Sequence, residues 1–335
     1  MLENQSDDSL ERLSRELPLT PETLPSHLQV GNLFRRRGDL QKALSIHEQL
    51  LASVEGGLLR GQVRLELARD FIAAGLLGRA EPLLDELMEC ADSTSIAGAA
   101  VDELRRIAER ERDWARAIAL AKRILPGRSE LNTVLAHYHC ELAGQRLRQG
   151  HLEAARQNLD EAGQIDPDNP RIWWMRMECE LAVKGSADVL PLLEKLLLLA
   201  PGMAGVVAES LMRSEVAHAP ALHEALAGWV ERDSIGDAAL LVLLRLQPRW
   251  AWRDDWLRRI QRQPSWPSVL AFLDALDGQP VTASEFDALQ PLLSDLSKTT
   301  PRWRCSHCGF SGRELHWQCP SCHRWGALRP LKRPS

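Results

Sequence analysis

The residues best suited to chemistry lie near the C-terminus, where Cys305-Ser-His-Cys308 is followed, after ten residues, by Cys319-Pro-Ser-Cys322. A C-x2-C segment bends so that both sulfurs face one point. Two such knuckles supply four thiolates at the corners of a tetrahedron, the geometry of Zn²⁺ or of a single iron bound by sulfur alone. Cys305, Cys308, Cys319 and Cys322 are therefore the expected ligands of one metal ion, iron or zinc. Gly309, directly after the first pair, suits the positive φ of a knuckle, and Pro320 stiffens the second. His307, His316 and His323 lie close by, but the sulfurs complete the set, so the imidazoles are read as surface or outer residues. A segment of about 35 residues buries too little apolar surface to fold unaided, so the metal should supply most of its folding free energy.

No other constellation carries chemistry. His223-Glu224 begins like H-E-x-x-H, yet position 227 is Ala and the second ligand is missing. Phosphate-binding and dinucleotide-binding glycine loops and a nucleophile elbow are absent from the sequence, and His137 and His139, two apart on a helix, face different ways. Cys90, Cys140 and Cys179 fall in apolar helical stretches, where a thiol acts as a small hydrophobe. No catalytic residue and no organic cofactor site is expected; the chain is read as a non-enzyme.

The elements that must carry the knuckles are helical. Leu, Ala, Glu and Arg dominate, aromatics are 5%, and of those Trp counts 11, Phe 5 and Tyr 1. That composition favours helix over sheet. A repeat emerges in which a turn glycine is followed five residues later by alanine: Gly38/Ala43, Gly75/Ala80 and Gly150/Ala155, with Asp113-Trp114 at the turn before Ala117 and a weaker match at Val189. Positions 43, 80, 117, 155 and 189 are 37, 37, 38 and 34 apart, near the 34-residue tetratricopeptide period. Gly31, Phe34 and Leu50 have counterparts in Ala68, Phe71 and Leu87, and Pro167 and Pro201 close two repeats. The expected fold is all-α, a tetratricopeptide-repeat superhelix (solenoid) with a small C-terminal rubredoxin-like or zinc-ribbon metal domain. Its parts are a polar segment (1–25), repeats (26–201), degenerate capping helices (202–296), a polar linker (297–301) and the metal domain (302–335). Trp229, Trp250, Trp252, Trp256 and Trp266 are read as filling gaps between the capping helices.

Charge is unevenly placed. The chain carries −5 overall, but residues 301–335 hold seven Arg and Lys against the single acid Glu314, so the remaining 300 residues carry −11. The balance gives no case for general nucleic-acid binding. No apolar run approaches the about 20 residues of a membrane span, and the start lacks a secretory signal, which places the chain in the cytoplasm, where seven cysteines do not form a disulfide framework.

Helical repeats followed by C-x2-C-G-F (Cys305 to Phe310) and W-x-C-P-x-C-x-x-W (Trp317 to Trp325) resemble the lipopolysaccharide assembly protein B family. The stretches HLQVGNLFRRRGDLQKALSIHEQLL and RDFIAAGLLGRAEPLLDEL look like that family's repeats, so the resemblance covers 26–335. It implies a non-enzymatic adaptor at the cytoplasmic face of the inner membrane of Gram-negative bacteria. Such an adaptor regulates lipopolysaccharide synthesis by promoting FtsH-mediated degradation of LpxC, with a rubredoxin-type domain packed on the repeats. The implied partners are FtsH, LpxC and other lipopolysaccharide assembly proteins; lipopolysaccharide itself and a second copy of the chain stay open. The family's membrane anchor has no counterpart ahead of Gly31, so attachment is expected from sequence ahead of Met1 or through partners. Two other classes compete on the residues alone: a rubredoxin-like electron carrier with a docking solenoid, and a zinc-ribbon nucleic-acid binder.

Overall fold

A computed structural model describes residues 12, 16–89, 94–125, 129–183, 188–230, 232, 234–246, 257–258, 260–261, 269, 272–273, 280–299, 301–316, 318–322 and 326–330. The chain divides into two compact units, Met1–Met175 and Arg176–Ser335.

In the first unit, helices come in pairs: α1 Leu24–Arg37 with α2 Leu40–Ser53, α3 Gly57–Ala73 with α4 Leu77–Glu89, α5 Thr94–Glu111 with α6 Trp114–Ile124, and α7 Asn132–Arg148 with α8 Leu152–Ile165. Each pair is joined by the same tight turn. The first helix ends on a left-handed residue, Gly38 (φ 86°), Gly75 (φ 73°), Arg112 (φ 58°) and Gly150 (φ 78°). The following N–H then returns to a carbonyl five residues back: Asp39 to Phe34 (3.0 Å), Leu76 to Phe71 (2.8 Å), Asp113 to Ala108 (2.9 Å) and His151 to Arg146 (2.9 Å). This closes the orphan carbonyls at the helix ends. Arg112 occupies the one such position without glycine, where a Cβ costs about 1 kcal/mol. Asp39 and Asp113 then cap the second helices through the N–H groups of Lys42 and Arg116.

The repeat register is visible in burial. In the second helices, side chains at offsets of zero, four and seven are withdrawn from water: Ala43/His47/Leu50, Ala80/Leu84/Leu87 and Ala155/Leu159/Ala162, with Ala117/Ala121 in α6. Val189/Leu193/Leu196 continue the set in α10 (Val189–Leu199), so Val189 holds the alanine position despite its shorter spacing. Burying each Leu contributes about 2 kcal/mol. Arginines at the starts of second helices reach acids of the preceding second helix, Arg79 to Glu48 (3.5 Å) and Arg116 to Glu81 (2.7 Å). On the first helices a ladder of alternating charge links three repeats through Arg35, Glu66, Arg69 and Glu103, at 2.5, 2.7 and 2.9 Å.

Polar groups enter two joints: Arg105 of α5 bonds Asp102 and reaches Tyr138 of α7, and a tighter pair lies between the first two repeats. His47 stands where α4 has Leu84, and Asp70 stands where α5 has Ile107; both polar groups are fully buried, with Nδ1 of His47 2.5 Å from Oδ2 of Asp70. Arg35 binds the other carboxylate oxygen at 2.8 Å. The imidazole lies over Gly31 so closely that a Cβ there would stand 2.3 Å from Nε2. A small residue at this position is thus a steric requirement.

The second unit contains α9 Pro170–Leu181 in part, α10, α11 Ala204–Met212, α12 Pro220–Val230, α13 Gly236–Leu246 and α14 Ala283–Thr299, then strands β1 Trp303–Cys305, β2 Ser311–Gly312 and β3 Leu328–Pro330. Trp229 is buried among these helices; Trp250, Trp252, Trp256 and Trp266 lie outside the described residues. Cys140 and Cys179 are buried, and Cys90 lies outside the description. Among the described residues no single helix is long and apolar enough to cross a membrane. The segment 297–301, read as a linker, needs correction: α14 runs on through Thr299. Polar residues suggested a loop, but Lys298 pairs with Asp295 one turn back (2.8 Å) and sits in the last turn, where its charge opposes the helix dipole. At the other end Thr282 and Glu285 form a reciprocal cap, the Thr282 N–H donating to Glu285 Oε2 at 2.7 Å.

Candidate metal centre

The knuckles hang on a three-stranded antiparallel sheet ordered β2-β1-β3. β1 sets Trp303 opposite Gly312 and Pro330, Arg304 opposite Ser311 and Arg329, and Cys305 opposite Leu328. Alternation along the strand puts Trp303 and Cys305 on the inner face. There Cys305, Cys319, Ala327 and Leu328 form a small core, flanked by Trp303, Phe310 and Cys322.

The local backbone shapes the sulfur cage. The Cys305 N–H donates to Phe310 O (2.8 Å) and Gly309 N–H to Cys305 O (3.1 Å), closing the first knuckle around Gly309 at φ 78°. Ser306 ties it to the far side of the site through Ala327 O, by its N–H (2.9 Å) and its hydroxyl (3.1 Å). All four sulfurs lie within 4.8 Å of one another, with Cys305–Cys322 at 3.8 Å and Cys308–Cys319 at 3.7 Å. A tetrahedron with metal–sulfur bonds of about 2.3 Å has edges of about 3.8 Å, so the cage has the size of one four-coordinate ion. Zinc and iron both meet that donor set.

The cage also favours thiolates. Backbone N–H groups of Cys308 and His307 point at the Cys305 sulfur and lower its pKa; the Phe310 N–H does the same at Cys308 and pulls its pKa down to about 6. In each knuckle the first cysteine is buried, while Cys308 is exposed and Cys322 partly so. His307 is exposed and His316 half-buried, both outside the sulfur cage; His323, Trp317 and Trp325 lie outside the described residues. Sequence reasoning missed the closing strand β3, whose only hint was Gly326 (φ 61°), four residues after Cys322.

The other residues weighed for chemistry do not assemble. His223 Nε2 bonds the Ala217 carbonyl in the short turn that precedes its helix, at 2.7 Å. His137 and His139 each have a pKa lowered, first of all by burial. No second metal cluster occurs among the described residues.

Residues 303–330 match the family model described as a rubredoxin metal binding domain. The chain is 28% identical to lipopolysaccharide assembly protein B of Escherichia coli strain K12, over 99% of this chain and 87% of that protein. The protein of the same name in Haemophilus influenzae is 26% identical, over 91% of this chain and 79% of its own length. A solved structure of the C-terminal part of a TPR repeat-containing protein from Cytophaga hutchinsonii aligns with a TM-score of 0.45 and 12% identity, covering 80% of this chain and 93% of that one. Along nearly its whole length, repeats and sulfur cage together, the chain is similar to lipopolysaccharide assembly protein B.

Proposed function

We propose that the chain is a non-enzymatic adaptor of lipopolysaccharide assembly, which binds proteins through its helical repeats and promotes FtsH-mediated degradation of LpxC at the cytoplasmic face of the inner membrane. The observation that carries this reading is the extent of the similarity: it takes in both the repeats and the four-sulfur domain, over 99% of the chain. The charge ladder along α1, α3 and α5 supports it, because a pre-ordered row of ionic side chains offers a partner fixed hydrogen-bonding groups. The four ligands Cys305, Cys308, Cys319 and Cys322 act structurally, holding the terminal domain in one shape. In a strain relying on this chain, Cys305→Ser or Cys322→Ser should raise LpxC to the level of a deletion. Unchanged LpxC turnover in both variants would remove the adaptor assignment. A purified protein that is coloured, bleaches on reduction and exchanges electrons with a reductase would replace it with electron transfer.

A further inference from the structure

The metal domain has a second surface, opposite the sulfur cage. Strand register places Arg304 directly across from Arg329 on the outer face, with Ser311 on the third strand of the same row. The Arg302 N–H donates to Gly312 O (2.9 Å), and the same register carried one residue further sets Arg302 across from Arg313. Four arginines thus share one face of a sheet with five residues in its two outer strands. All four are exposed.

Like charges directly opposed on neighbouring strands destabilise a sheet. Here two such pairs occur together, and among the described residues no carboxylate pairs with them. Arg313 donates to Lys298 O (2.6 Å) and Arg329 to Gly326 O (2.8 Å), both backbone carbonyls. Arg302 and Arg304 have no side-chain hydrogen bond or ion pair among the described residues, and Glu314 is the only acid in residues 301–335. The Arg304 guanidinium lies 3.9 Å from where a Cβ at Gly309 of the first knuckle would stand, so it can also offset thiolate charge.

We infer that this face docks an acidic segment of a partner protein. Guanidinium forks match carboxylates two bonds at a time. Along β1 the arginines are about 7 Å apart and the row across three strands is about 10 Å wide, room for two or three carboxylates. A long polyanion fits less well, since four arginines over about 10 Å match a few carboxylates rather than an extended row of phosphates. No aromatic ring stands on this face among the described residues to stack a base; Trp303 and Phe310 pack on the inner side. The inference rests on the adaptor reading only in that the ligand is a protein.

The test uses the full metal-loaded chain and a fluorescent twelve-residue peptide of alternating Glu and Ser, followed by anisotropy. The wild type should bind, and binding should weaken steeply between about 0.05 and 0.3 M salt. Arg302→Glu/Arg304→Glu should lose about tenfold or more in affinity, Arg304→Gln a smaller share, and Arg110→Glu on the exposed side of α5 nothing. Bound metal per chain, measured alongside, should be unchanged in every variant. No binding by the wild type, or equal binding by the double variant, overturns the inference. So does tighter binding of single-stranded RNA or of vesicles rich in anionic lipid than of the peptide. Loss of LpxC turnover control with peptide binding intact would strike the adaptor reading alone.

Discussion

The helical repeats and the metal domain reach a fixed shape by opposite routes. Each repeat buries a run such as Ala80 against Leu67 and Phe71 of its own pair and Leu84 and Leu87 in a cluster that reaches the next, so the stabilisation is spread over many side chains. The metal domain has a core of four buried residues, two of them cysteines. With so small a core its order is expected to rest on one bound ion, so a single chemical change should erase it while the repeats stand. Distributed and concentrated stability are thus joined in one chain, the first graded and the second conditional.

Removing the metal is the largest expected effect. Sulfur-bound structural zinc contributes about 10–16 kcal/mol to folding, so a strong chelator should unfold the sheet and expose Leu328 and Ala327 to hydrogen exchange. Helical circular dichroism should barely change; a parallel collapse of the helices would show that the two regions are not independent. Acidification reaches the same end by degrees. The Phe310 N–H holds the Cys308 thiol near 6, so its thiolate persists above that pH and a proton competes with the metal below it. Metal affinity, measured by competition with a chelating dye, should weaken as pH falls, with one further proton competing at Cys308 below about 6. Full retention at about pH 4 would mean that the cage resists protonation by other means.

Within the repeats, the His47–Asp70 joint is the most sensitive place. His47→Ala leaves a buried carboxylate with one partner fewer and should cost about 3–5 kcal/mol in urea unfolding of the full chain. His47→Leu with Asp70→Ile copies the Leu84–Ile107 joint and should recover most of that loss or exceed the wild type. Failure of the double variant would show that Arg35 and Glu66 depend on Asp70. The smallest effect is a gain: Arg112→Gly relieves a left-handed residue and should add about 1 kcal/mol, a rise of a few degrees in melting temperature.

Much of this was legible beforehand because it depends on local spacing. Two C-x2-C knuckles name their own purpose, and Gly38, Gly75 and Gly150 mark turns whose φ only glycine adopts freely. What escaped depends on pairing between distant residues. Nothing in the isolated sequence says that His47 meets Asp70, twenty-three residues away, or that Arg304 faces Arg329. The helical stretch Ser297–Thr299 escaped for another reason: polar composition describes a solvated helix end as well as a loop.

The His47–Asp70 pair also bears on how near-identical repeats find their order. Repeats built on one pattern can stack out of sequence, since most apolar joints accept one another. A chain that skipped one place would set the His47 imidazole against Ile107, stranding a polar group in a dry joint. The polar pair therefore disfavours that skipped register, as a charged or hydrogen-bonded group left in an apolar joint has no partner.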